Sequence, residues 1–258
     1  MLAKERQEKI LELLQRNGAV TTSHLVDLFQ VSIETVRRDL LSMEQQGRLS
    51  RVHGGAVAKQ NMKPFYELEK RNTEYSGEKL ALSRKAAEFV SEGDVIGIDV
   101  GSTANFFADA LKERFSRLTV ITYSYDVFTR LCEHKDFSVI LCGGHYLKKE
   151  KSFCGALPME MLKLLHVQKA FVFPSAVSLE YGICDYQNEI YPLQKQLMHS
   201  AEEIFVLADS SKFEKRALLK VSDTKSTYTY ITDENLPEEL NRLYKENNIT
   251  ICKGAKET

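Results

Sequence analysis

The chain has 258 residues, 43% of them hydrophobic and 28% charged, an ordinary balance for globular protein at a length that points to two domains. No apolar run approaches the roughly 18 to 20 residues needed to span a bilayer. The N-terminus reads as a charged helix rather than a signal peptide, and five scattered cysteines without CxxC pairing exclude a disulfide framework or a zinc-type site, so buried thiols in a reducing cytoplasm are expected. A net charge of −1 provides no overall basic field, yet residues 1–63 carry ten Lys/Arg against seven Asp/Glu, so positive charge is concentrated at one end.

Helical phasing predicts a first helix from about Lys4 to Gln15, with Ile10, Leu13 and Leu14 inward and a stop at Asn17-Gly18. A second short helix spans Thr22 to Gln30, with Leu25, Val26, Leu28 and Phe29 available for packing. Ser32 is placed as the N-cap of a third helix running to about Gln46. There Ile33, Val36, Leu40 and Met43 form one apolar stripe, while Glu34, Arg37 and Arg38 lie opposite. Two helices across a tight turn make a helix-turn-helix. Leu49 to Val52 suits a strand, and His53-Gly54-Gly55 a tight turn, so the module reads as a winged helix. Arg37 and Arg38 are the main candidates for DNA contact, with Thr22, Ser32, Glu34 and Thr35 beside them. Arg51 and His53 of the wing are candidates for the DNA backbone or minor groove, and Asp39 is expected to orient an arginine.

Glu5-Arg-Gln-Glu-Lys-Ile10, Gly18-Ala-Val20, Val31-Ser32, Thr35-Val-Arg-Arg-Asp-Leu40, Gly47, Arg51 and His53-Gly-Gly-Ala56 together resemble the N-terminal domain of the DeoR family of bacterial transcription regulators. Residues 1–56 are read as this winged helix-turn-helix domain, and residues 57–75, which lose periodicity and contain Pro64, as a linker.

Residues 76–258 form a larger domain. A helical pattern from Lys79 to about Val90 leads into β-rich runs at Val95–Val100, Leu118–Tyr123, Ser138–Cys142, Lys169–Phe173 and Glu203–Ala208. Helical stretches alternate with these runs, which predicts an α/β domain with a mainly parallel sheet. Tyr228–Ile231 and Ile249–Cys252, on either side of a helix over about Leu236–Asn247, extend that sheet.

Ligands of such sheets bind at the carboxyl ends of strands. The first run ends Asp99-Val-Gly101-Ser102-Thr103 and opens a helix, a place for a small anion such as phosphate. The following ends supply Thr122, Tyr123 and Ser124, then Gly143 and Gly144, then Asp209-Ser-Ser-Lys212. Their order resembles that of the DeoR-family sensor domain. The resemblance implies a fold related to ribose-5-phosphate isomerase, a phosphorylated-sugar effector and a homo-oligomer, dimer or larger, and it carries over Lys195. Tyr123, where the family commonly has Asn, and Glu214, where Gly is frequent, depart from its pattern.

The expected function is a repressor of carbohydrate-metabolism genes that binds a double-stranded operator and responds to a sugar phosphate. No cofactor, metal or membrane partner is expected. The rival reading is a sugar-phosphate isomerase-like enzyme fused to a DNA-binding module, with a carboxylate such as Asp99 or Asp209 as base.

Overall fold

Ile10, Leu14, Leu25, Val36, Leu40 and Met43 are each at most 2% exposed and draw three short helices around one core. The computed structural model describes residues 2–17, 19–52, 55–58 and 68–255, and the chain divides into two compact units, Met1–Tyr66 and Glu67–Thr258. In the first, α1 (Ala3–Asn17), α2 (Thr22–Phe29) and α3 (Ile33–Gln45) are joined by β1 (Ala19–Thr21), β2 (Leu49–Val52) and β3 (Gly55–Ala58). The wing is a three-stranded antiparallel sheet in the order β1-β3-β2. Its strand β1 has only three residues, too few for an alternation to be read from sequence.

Two apolar positions depart from expectation. Ile33 opens α3 and is 45% exposed, and Leu28 is 46% exposed on the outer side of α2. The inward stripe of α3 therefore begins at Val36, because the first turn projects beyond the three-helix core. The span expected as a linker, residues 57–75, holds regular structure at both of its ends. Strand β3 continues to Ala58, with Ala56 fully buried, and a helix already begins at the buried Leu68. Residues 59–67 lie outside the described residues.

The second unit contains α4 (Leu68–Thr73), α5 (Ser76–Ala87), β4 (Val95–Ile98), α6 (Ser102–Arg114), β5 (Thr119–Thr122), α7 (Tyr125–Leu131), β6 (Ser138–Leu141), β7 (His145–Leu147) and β8 (Ser152–Cys154). It continues through α8 (Ala156–Leu164), β9 (Val167–Val172), β10 (Ala176–Ser178), β11 (Gly182–Asp185), α9 (Tyr191–His199), β12 (Ala201–Leu207), β13 (Leu219–Ser222), β14 (Thr229–Asp233), α10 (Glu238–Glu246) and β15 (Ile251–Gly254). Seven parallel strands form one sheet in the order β15-β14-β12-β9-β4-β5-β6, the mainly parallel architecture expected.

Strand residues alternate between two cores. Ala170, Val172, Val206 and Ala208 pack toward α8, α9 and α10, while Phe171, Phe173, Phe205 and Leu207 pack toward α5, α6 and α7. Burial on both faces explains why these strands read as nearly continuous apolar runs. A small antiparallel sheet, β10-β11-β13, and the hairpin β7-β8 complete the unit.

The strand order reverses between β4 and β9. From β4 the chain moves outward through β5 and β6, then returns to β9 on the other side of β4 and proceeds to β15. Such a switch point leaves a crevice beyond the strand carboxyl ends. Asp99 to Thr103 and Phe173 to Ser175 follow the two strands that flank it.

Candidate functional site

Local chemistry fixes the start of α3. Ser32 has an extended backbone, and its hydroxyl accepts from the Thr35 N–H at 3.2 Å while meeting the Thr35 hydroxyl at 2.9 Å. The preceding helix is capped likewise, Thr21 Oγ1 accepting from the His24 N–H. Glu44 accepts from the Arg51 N–H at 2.7 Å and so ties the wing to the end of α3. Thr22, Ile33, Arg37 and Arg51 come together around one concavity. Arg37 makes an exposed ion pair with Glu34 at 3.0 Å, and Arg38 is exposed with no ion pair among the described residues. Asp39 turns the other way and binds Arg6 of α1, as expected of a positioning carboxylate. His53 lies outside the described residues.

Beyond β4, Gly101 has φ +143°, a backbone that favours glycine, and as the N-cap of α6 it offers no side chain to cap that helix. Ser102 and Thr103 occupy the first two positions of that helix and are 5% and 1% exposed. Among the described residues the Thr103 hydroxyl has no hydrogen-bond partner, nor has that of Ser152 on β8, which bridges to Ser124. A buried hydroxyl without a partner costs stability unless a ligand or water satisfies it. Gly143 faces open space, whereas Gly144 permits close packing, since a Cβ there would stand 2.5 Å from Pro158.

Asp99 is fully buried and bonded to donors of the protein itself. Tyr123 donates to its Oδ1, and Gln194 Nε2 and the Phe173 N–H donate to Oδ2 at 2.7 and 3.2 Å. Burial raises its pKa to about 6, against the hydrogen bonds from Tyr123 and the Val100 and Phe173 N–H groups, which lower it. Thr122 is also engaged, donating to the Ile98 carbonyl at 2.8 Å and accepting from the Ser124 N–H. Ser124 in turn caps α7 through the Val127 N–H. Lys212 donates to the Pro174 carbonyl at 2.9 Å, beside the turn that follows β9.

Two cations absent from the sequence-based set join Lys212. Lys79 on α5 is 3% exposed, and its pKa is lowered to about 8, first by burial and next by Lys212. Its ammonium donates to the carbonyls of Arg71, in the last turn of α4, and of Glu74, just beyond it. Arg71 binds both carboxylate oxygens of the buried Glu150, at 2.6 and 2.5 Å, and with Lys212 acts on the buried Asp185. The sequence does hold a signal for Lys79. It falls in phase with buried Leu82, Ser83 and Ala86 at i+3, i+4 and i+7, a charge on an inward face.

Lys195 stands elsewhere. It is exposed on α9 with its ammonium 5.3 Å over the Tyr191 ring, because one residue's rotation separates it from the inward Gln194. Cys142, Cys154 and Cys184 are buried as expected, but Cys132 is exposed. Among the described residues there is no metal-ligating cluster and no helix long and apolar enough to cross a membrane.

Two family models match the chain. The DeoR-like helix-turn-helix domain covers residues 6–61, and the DeoR C terminal sensor domain covers residues 74–234. The chain is 34% identical to the uncharacterized HTH-type transcriptional regulator YulB of Bacillus subtilis, across 92% of this chain and 91% of that protein. It is 33% identical to the lactose phosphotransferase system repressor of Lactococcus lactis, across 93% and 95%. Ribose 5 phosphate isomerase A from Neisseria gonorrhoeae superposes with a TM-score of 0.42 and 20% identity over 57% of this chain and 56% of that one, too partial a likeness to bear on chemistry. With both models matched in order and such identity over nearly its whole length, the chain belongs to the DeoR family of transcription regulators.

Proposed function

We propose that the chain is a sequence-specific repressor of carbohydrate-metabolism genes whose affinity for its operator is set by a phosphorylated sugar. The unpartnered Thr103 hydroxyl at the uncapped N-terminus of α6 carries the sensing half of this reading. A phosphate there would accept from that hydroxyl and from backbone N–H groups, in the positive field of the helix terminus and of Lys79 and Lys212. Sugar hydroxyls would meet Ser124, Ser152 and the open backbone at Gly143. Relatives named as a lactose phosphotransferase system repressor and an aga operon repressor support sugar control, while one named L-fucose operon activator shows that the sign can differ among relatives.

On DNA, Arg37, Arg38 and Arg51 supply phosphate or base-edge contacts, with Thr22, Ser32, Glu34 and Thr35 bordering them. The exposed Ile33 adds an apolar surface at the start of the reading helix. Two such units in a homodimer would match a symmetric operator. Binding without turnover suits the pocket, because Asp99, Asp185, Asp209 and Glu150 all accept bonds from the protein itself. The test is thermal denaturation with a panel of pentose and hexose phosphates, with isomer composition followed in parallel. A raised melting temperature without isomerisation supports a sensor, and sustained turnover overturns it.

A further inference from the structure

Helix α8 has two apolar faces, and the chain uses one. Pro158 and Leu162 are buried, Leu162 within the core, and the inner side of Met161 packs against that core as well. Leu157 and Leu164 point outward, 69% and 86% exposed, and the half-buried Met161 lies between them. Positions 157, 161 and 164 are spaced i, i+4 and i+7, which aligns them in a single stripe along the outer surface. Scattered exposed leucines need no explanation, but a helical stripe of them does.

Charge at the edge of the stripe selects its partner. Glu160 and Lys163 pair with each other at 2.7 Å along one flank and remain 66% and 48% exposed. In an antiparallel apposition about a two-fold axis near Met161, equivalent flanks of the two helices meet. Glu160 then faces the partner's Lys163 and Lys163 faces the partner's Glu160, while Leu157 faces the partner's Leu164. In a parallel two-fold apposition this flank would instead meet the partner's opposite flank, and neither charge would find its complement across the contact. The helix is thus self-complementary in the manner of an isologous contact. At its end, a depression between Leu164, Leu165, Gln196 and His199 offers room for the partner's Leu157.

We propose that the outer face of α8 is the two-fold contact through which two copies of this chain associate. The inference rests on the paired-unit reading above and assigns its surface. The contact is centred on Leu157, Met161 and Leu164, with reciprocal Glu160 to Lys163 pairs closing its edge.

Sedimentation velocity on the full chain tests this. Leu164→Asp should weaken dimerisation at least about a hundredfold, since each dimer loses two buried leucines. Glu160→Lys and Lys163→Glu should each weaken it alone by placing like charges opposite, and an equimolar mixture of the two should restore a dimer, because only the mixed pair is complementary. Circular dichroism checks that each variant is folded, and the charge reversals keep the test sound if Leu164→Asp is not. A wild-type dimer untouched by all three substitutions, or a mixture no tighter than its components, would overturn the α8 contact while leaving a dimer built elsewhere. A wild-type chain that stays monomeric at micromolar concentration would remove the paired-unit reading itself.

Discussion

Arg6 of α1 donates to Asp39 of α3 across 2.7 Å, with the two side chains only 10% and 8% exposed. The pair fixes how the reading helix leans on its neighbour, one residue from Arg38 and two from Arg37. Removing one member of a buried pair strands the other, so Asp39→Ala should destabilise the N-terminal unit by about 3–5 kcal/mol. Urea unfolding followed by a probe in that unit would register the loss.

Arg37 should behave oppositely. Its pair with Glu34 is exposed, and such pairs contribute about 0–1 kcal/mol, so Arg37→Ala should leave the melting temperature nearly unchanged. Operator affinity, read by fluorescence anisotropy, should fall at least about tenfold, or roughly 1.4 kcal/mol. Unchanged affinity in the folded variant would remove Arg37 from the interface.

The Tyr123 hydroxyl lowers a pKa that burial otherwise raises. Tyr123→Phe should therefore move Asp99 above its present value of about 6, observable by carbon NMR of the carboxyl group. Because the folded pKa exceeds the ordinary 3.8, the stability contributed by Asp99 is full below that value and is lost as pH rises through about 6. In the variant this loss should extend to higher pH.

Anion binding should draw a proton to Lys79. Its pKa is lowered to about 8, and a phosphate nearby favours the charged form and raises it again. Calorimetry with a bound sugar phosphate at pH 8, in buffers of differing ionisation enthalpy, should report proton uptake that Lys79→Met abolishes. Thr103→Val should weaken the same binding while leaving the uptake per bound ligand intact.

Glu214 occupies a left-handed backbone, φ 51°, where the family frequently has glycine. It holds its place by accepting from the Tyr244 hydroxyl at 2.7 Å, the Leu179 N–H at 3.1 Å and the Ser178 hydroxyl at 3.2 Å. Glu214→Gly relieves about 1 kcal/mol of backbone strain but strands these donors, for a net loss of roughly 1–2 kcal/mol. Adding Tyr244→Phe should recover part of it in a double-mutant cycle of unfolding.

Elements with strong periodicity were legible from the residues alone. The apolar stripe of α3 and the apolar runs of β4, β5, β9 and β12 announce themselves because burial on one or both faces sets the pattern. Short pieces stayed hidden: β1, β10 and β11 have three or four residues, and their pairing depends on partners far along the chain. The placement of Ser102 and Thr103 just beyond β4, beside the point where the strand order reverses, was legible from the alternation of strands and helices. Lys79, Arg71 and Glu150 were not found, because they converge from α4, α5 and the turn after β7 through tertiary packing. Asp99 and Tyr123 were read as candidates one by one, and their mutual hydrogen bond and full burial could not be seen from sequence because they depend on tertiary packing.

The central claim is tested most directly by mixing purified protein with sheared DNA from its source genome, at moderate and raised salt, and sequencing what is retained. Non-specific phosphate binding weakens steeply with salt, whereas specific sites keep an advantage. The account predicts a few sharply enriched sites beside carbohydrate genes, with enrichment altered by one sugar phosphate and a higher concentration of it needed in Thr103→Val. Uniform recovery that vanishes with salt, with or without sugar phosphates, would contradict it.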